Sequence, residues 1–156
     1  MDYAYTFGDP STIYLNVTNR CTCECVFCVG RFSSSLGSGH LRGGPEPDLE
    51  ALLEAIEIER EGEELEEIVW CGFGEPTFRL DLILAASPSF REEGVTVRLN
   101  TNGHGSAIHG RDILPELGQV IDVVSISLNA STGDRYVEVS QPKPEVIGFE
   151  DPLELW

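Results

Sequence analysis

Lysine is almost missing from this chain. Its ten basic residues are nine Arg and the single Lys143, set against 27 Asp and Glu, for a net charge of -17 over 156 residues. A surface this acidic repels phosphate, which argues against a nucleic-acid partner. Abundant Glu with so little Lys also fits adaptation to high salt, where screening weakens self-repulsion. Long apolar runs are absent too. No stretch approaches the ~20 residues of a membrane span, so no membrane association is expected. The opening MDYAYTFGDP has neither the basic region nor the apolar stretch of a secretory leader, and a cytoplasmic location is the expectation. Hydrophobic residues make up 41%, the level of a soluble domain, and the length suits one domain with its own core.

Cysteine is scarce outside one segment. Of five Cys, four (Cys21, Cys23, Cys25 and Cys28) fall within eight residues, and the fifth is Cys71. Cys this close together make a poor disulfide framework, and in a cytoplasmic chain the spacing reads as metal ligation or redox chemistry.

Four stretches have strand character: 11–18 (STIYLNVT), 67–71 (EIVWC), 95–100 (VTVRLN) and 122–128 (DVVSISL). Between the first two lie the Cys-rich loop 19–30 and a Ser/Gly/Pro-rich loop over 31–47. Asp48 then caps an amphipathic helix whose stripe is Leu49, Leu52, Leu53 and Ile56. The seven Glu between 57 and 67 read as a solvated helix end. Short helices are predicted over 80–87 and 111–119, the latter interrupted by Pro115, with a helical turn near 133–138. Strands joined by helical crossovers define a parallel α/β class, in which ligands gather at the carboxyl ends of the strands. Four distinctive segments lie there: the Cys loop, GFGEPT, TNGHG and Asn129.

The run Cys21-Thr-Cys-Glu-Cys25-Val-Phe-Cys28 holds a C-x3-C-x2-C spacing. Three thiolates can hold three irons of a four-iron cluster and leave the fourth open to a small ligand. Two other uses of these thiols stand beside that one: a zinc site of four thiolates, and a four-thiolate electron-transfer cluster drawing on Cys23 or Cys71. Cys23 reads as a spacer that ligates nothing, and Cys71 as a buried structural thiol. His104 reads as a rim residue of the site, and His40 and His109 as surface. Ser125, Ser127 and Asn129 alternate onto one face of the last strand.

The segment NVTNRCTCECVFCVG resembles the signature of the radical S-adenosylmethionine (radical SAM) family, and YLNVTNRC, CGFGEPT, RLNTNGHG and SISLNAS together resemble its small TatD-associated group. The resemblance covers roughly residues 11–130. It implies a [4Fe-4S] cluster on Cys21, Cys25 and Cys28, and S-adenosylmethionine held by Phe27, Gly72, Gly74, Glu75, Thr101, Asn102, Ser127 and Asn129. The implied chemistry is reductive cleavage of the sulfonium to a 5′-deoxyadenosyl radical that abstracts hydrogen from a substrate, a small molecule or a protein. The alternative is a non-catalytic iron–sulfur or zinc binding module, or a degenerate relative of the family. The implied fold is a partial (βα) barrel of about four to five parallel units, a single domain with core 11–130 and an irregular tail 131–156, where Val146–Glu150 is a candidate fifth strand. The implied partner is a flavodoxin- or ferredoxin-type electron donor. Arg20, Arg31 and Arg42 lie around the Cys loop with only Glu24 beside them in 19–44, and they offer such an acidic donor a basic rim.

Overall fold

The computed structural model describes residues 1–144. Seven strands form two sheets: β1 (Ala4–Tyr5), β2 (Thr12–Asn16), β3 (Ser35–Leu36), β4 (Gly39–His40), β5 (Glu67–Cys71), β6 (Thr96–Thr101) and β7 (Val123–Ile126). The main sheet has the order β1-β2-β5-β6-β7, parallel from β2 onward, with β1 antiparallel on one edge. The helices are α1 (Leu49–Glu59), α2 (Leu80–Glu92), α3 (Gly105–His109), α4 (Leu114–Val120) and α5 (Gly133–Ser140). This is a partial barrel of four βα units. The candidate fifth strand at Val146–Glu150 lies outside the described residues. No helix among those described is long and apolar enough to cross a membrane.

Register explains the core. Ile13, Ile68 and Val97 form one row across the sheet, and Leu15, Trp70 and Leu99 a second, two residues further along each strand. Side chains alternate along a strand, so both rows face the same way, onto the helices. There Leu52 and Ile56 of α1 and Leu82, Ile83, Ala86 and Phe90 of α2 cover them. Trp70 satisfies its ring N–H on Ser87 Oγ at 3.0 Å. The opposite face carries Tyr14, Asn16, Cys71 and Asn100, a polar lining that leads up to the site.

Several expectations need correction. The loop over 31–47 contains the small hairpin β3–β4. The helix expected over 80–87 runs to Glu92, through Pro88. A proline inside a helix costs about 3 kcal/mol, and burial of Leu82, Ile83, Ala86 and Phe90 on one side of α2 offsets it. The tail is ordered where it follows β7, because residues 133–140 form α5, capped by Thr132. The last strand, β7, is exposed along its whole length. Val124 and Ile126 stand in the rows of Leu99 and Thr101, yet they are 51% and 52% exposed.

That bareness follows from β7 having no neighbour on its far side among the described residues. Val124 and Ile126 border a cavity of about 260 Å³ with Leu99, Ile113 and Leu117. An apolar strand edge is an association hazard. The expected result is concentration-dependent self-association in molar salt, where charge repulsion is screened, and its suppression by Val124→Lys with Ile126→Lys. Light scattering coupled to size exclusion checks it.

Candidate functional site

Every residue singled out in the sequence for cluster or cofactor lines one pocket of about 370 Å³ at the carboxyl ends of β2, β5, β6 and β7. The thiols of Cys21, Cys25 and Cys28 and the half-exposed ring of Phe27 form one wall. Gly72, Gly74 and Glu75 follow β5, Thr101 and Asn102 end β6, and Ser127 and Asn129 follow β7. Asn129 turns through a left-handed conformation (φ 60°), tolerable for Asn.

The glycines serve a purpose the sequence did not show. A side chain on Gly72 would meet Asn16 Oδ1 at 2.4 Å, and Gly72 sits at φ +111°. One on Gly74 would meet Arg20 O at 2.4 Å and Thr18 O at 2.5 Å. They are needed for loop-on-loop contact, which draws the turn after β5 against the Cys loop. Asn16, fully buried, locks that contact: its Oδ1 accepts from Phe73 N at 3.1 Å, and its Nδ2 donates to Leu41 O at 3.0 Å. Glu75 N donates to Arg20 O at 2.8 Å.

Glu75 is 2% exposed and accepts four hydrogen bonds. Thr77 N (3.1 Å), Thr77 Oγ1 (2.7 Å) and Thr101 Oγ1 (2.7 Å) reach Oε1, and Asn102 N (2.7 Å) reaches Oε2. Burial pushes its carboxyl above the ordinary range, and those four bonds pull part of the way back. Asn102 in turn donates to Thr22 Oγ1 at 2.8 Å, with Cys21 and Cys23 sulfurs each 3.8 Å from the same nitrogen. Glu75, Thr101 and Asn102 therefore brace three loops against one another.

Burial pushes the Cys21 thiol up to about 11. A hydrogen bond to Cys25, with burial second, pushes Cys23 up to about 12, and the same bond lowers Cys25. Cys71 is partly buried at the edge of the pocket, hydrogen-bonded to Tyr5 Oη at 3.3 Å and raised to about 11 by burial, in keeping with a structural thiol. His104 is no rim residue. It is fully buried between Thr22 and Tyr136, because the chain after β6 turns straight into α3, a helix absent from the sequence reading. His109 is not free at the surface either: its Nε2–H donates to Thr77 O at 2.7 Å. His40 is exposed, as expected.

The sequence reading also missed Asn100 and the aromatic group Tyr5, Phe7 and Tyr14. Asn100 lines the pocket, and its Oδ1, shielded from solvent, has no hydrogen-bond partner in the protein. A buried acceptor without a donor is costly unless a ligand supplies one. The register Asn100↔Ser125 was the available signal, since it puts Asn100 on the face already assigned to Ser125 and Ser127. The three aromatic rings meet edge-on or tilted at 4.9–5.8 Å and close the far end of the pocket.

Among the described residues, no three thiol, imidazole or carboxylate groups converge closely enough to chelate a single ion. Zinc, at ~2.3 Å from each thiolate, requires that convergence. A four-iron cluster is bulkier and is met by thiolates spread around a cavity, which these three are. The orphaned Asn100 Oδ1 beside them fits a second, organic ligand.

A parallel α/β sheet carrying three such thiols at its strand ends defines an iron–sulfur protein of partial-barrel fold. Residues 15–146 match the Radical SAM superfamily, and the chain belongs to it. Over 136 residues it is 32% identical to the probable GTP 3′,8-cyclase of Methanocella arvoryzae (strain DSM 22066 / NBRC 105507 / MRE50), covering 85% of this chain and 39% of that protein. Its fold resembles a solved structure of TYW1 with a lysine–pyruvate adduct bound, at a TM-score of 0.58 and 22% identity, over 91% of this chain and 50% of that one. The chain thus spans half or less of these relatives. Members of the family use a [4Fe-4S] cluster and S-adenosylmethionine.

Proposed function

We propose that this chain is the cofactor-binding part of a radical SAM enzyme, with the cluster on Cys21, Cys25 and Cys28 and S-adenosylmethionine in the adjoining pocket. The convergence of all the proposed ligands on that pocket carries the reading. When bound, the two groups supply one-electron reductive cleavage of the sulfonium and a carbon-centred radical for hydrogen abstraction. The chain's own residues hold and orient. Phe27 offers a flat apolar wall to the adenine. Ser127 and Asn129 offer hydrogen bonds to the ribose, and Asn100 Oδ1 accepts from a ligand N–H or O–H. Glu75, Thr101 and Asn102 act by fixing the loops.

The far end of the pocket bears on the substrate. Tyr5, Phe7 and Tyr14 line it, and none of the described lining residues is Lys or Arg. A triphosphate, such as that of the GTP in the relative's name, finds no cation among them. An uncharged or aromatic group fits this end better.

Reconstitution with iron and sulfide under anaerobic conditions, followed by electron paramagnetic resonance of the reduced protein, tests the proposal. A four-iron signal that changes on adding S-adenosylmethionine supports it. A signal indifferent to that addition points to a non-catalytic module.

An acidic flavodoxin- or ferredoxin-type protein is the electron donor we propose. Arg20 is bound to Glu46 through two contacts of 2.8 and 3.0 Å, so its charge is neutralised. Arg31 and Arg42 make no salt bridge among the described residues, and both are exposed beside Phe32, itself 77% exposed. Arg31→Glu with Arg42→Glu is expected to slow reduction by such a donor at least tenfold at low salt, and Arg20→Glu to slow it less. Stopped-flow reduction kinetics measure both. The acidic charge balance supports a salt-adapted protein, and the cluster of free thiols suits the reducing conditions of a cytoplasmic location. Equal monodispersity in low and multimolar salt would remove the salt-adapted part of that reading.

A further inference from the structure

Besides bracing the loops, Asn102 aims a hydrogen at sulfur. The turn after β6 fixes its backbone. Asn102 N donates to Glu75 Oε2 at 2.7 Å, and Gly103 N donates to Thr101 Oγ1 at 3.0 Å. Gly103 takes φ +84°, a conformation open to glycine, and the chain passes directly into α3.

The orientation of the side-chain amide follows from its partners. Oδ1 accepts from His104 N at 3.0 Å, and Nδ2 donates to Thr22 Oγ1 at 2.8 Å. A flipped amide would set its NH2 against the His104 N–H, donor against donor. His104 is 0% exposed and Thr22 5%, so neither partner has water to turn to. The His104 ring is itself held between Thr22 Oγ1 at 2.8 Å and Tyr136 Oη at 2.9 Å, which ties this frame to α5.

An amide nitrogen carries two hydrogens. One goes to Thr22. The acceptors in reach of the other are the sulfurs of Cys21 and Cys23, each 3.8 Å from Nδ2. Chemistry separates the two. Cys23 has no ligand role, and Tyr136 Oη lies 3.7 Å from its sulfur as a second neighbour. Cys21 is assigned to the cluster, so its sulfur is a thiolate when metal is bound. A hydrogen bond to an ionised acceptor is roughly twice as strong as one between neutral groups. Metal binding therefore draws the free hydrogen of Asn102 to Cys21.

We propose that Asn102 is an N–H donor to the Cys21 ligand sulfur, aimed by Glu75 and His104 as positioning residues, so that the turn after β6 raises the reduction potential of the cluster. The inference rests on the cluster reading. Hydrogen bonds to ligand sulfur favour the reduced, more negative cluster, and losing one lowers the potential.

Redox titration of the reconstituted protein, followed by electron paramagnetic resonance, tests this. Two variants remove the N–H in different ways. Asn102→Asp keeps an acceptor for His104 N and loses the donor. Asn102→Leu keeps the branched shape and adds no charge. Both are expected to hold as much iron as wild type, while the ratio of reduced to oxidised cluster at the wild-type midpoint potential falls at least threefold. Thr22→Val controls for a loosened frame, because it removes the amide's other acceptor and leaves the sulfur its donor. Its ratio is expected to stay within twofold of wild type. A wild-type potential in Asn102→Leu would overturn the proposal, as would an equal fall in Thr22→Val. A further measurement needs no variant to fold. With asparagine labelled by nitrogen-15 in its side chain, electron–nuclear double resonance of the reduced wild-type cluster is expected to show a nitrogen coupling, and its absence would overturn the proposal. Should the wild type take up no cluster, the cofactor reading falls and this inference with it. Uptake with an unchanged potential in Asn102→Leu overturns this inference alone.

Discussion

Cys25→Ala is expected to abolish cluster uptake, with iron retained after desalting falling at least tenfold and the reduced paramagnetic signal lost. Thiolates, not thiols, bind iron. Among the loop thiols, Cys25 is lowered by its hydrogen bond from Cys23, while burial holds Cys21 up at about 11. Cys25 is therefore readier than Cys21 to bind iron, and Cys21 binds only when the metal displaces its proton. Two results follow from that order. Uptake should rise with pH between 7 and 9, because binding releases protons that a higher pH removes. Cys71→Ala, by contrast, should keep its iron, since that sulfur is engaged by Tyr5. Full iron content in Cys25→Ala would show that the site is built on other thiols.

The parallel sheet, the site's position at its carboxyl edge and the three thiols were legible because each has a local signature. Strand 67–71 matches β5 residue for residue, and Asp48 caps α1 as read, accepting from Ala51 N at 2.9 Å. What escaped depends on tertiary placement. Nothing around His104 marks it as buried, since its partners lie 82 and 32 residues away. The strand Ala4–Tyr5 is too short for any periodicity to reveal, yet it delivers Tyr5 and Phe7 to the pocket. The 122–128 strand has the apolar composition of an interior strand, yet it is exposed. Composition reports what a strand can bury, and the neighbours decide what is covered. Arg20 looked like part of a basic rim because Glu46 lies 26 positions away in sequence, beyond any local reading of charge.

Glu75→Ala is expected to destabilise the metal-free protein by about 3 kcal/mol, because Thr77 N and Asn102 N are left as buried donors at roughly 1–3 kcal/mol each. Glu75→Gln separates shape from charge. Its oxygen can still take Thr77 N and the two hydroxyls, but its amide nitrogen would face Asn102 N–H, donor against donor. That variant should lose roughly one buried hydrogen bond. The pH dependence isolates the charge. Glu75's carboxyl is raised above 4.5 in the fold by burial, so the folded state binds more protons than the unfolded state in that window. Stability from this group is then greatest below about 4.5 and falls as pH rises to the raised value, above which the penalty is constant. Urea denaturation of wild type and Glu75→Gln from pH 4 to pH 8 should show the gap between them widest at the acid end and narrowing as the wild-type carboxylate ionises. A gap that does not change across that range would mean the four hydrogen bonds fully offset the burial, and that Glu75 is held as an ordinary carboxylate.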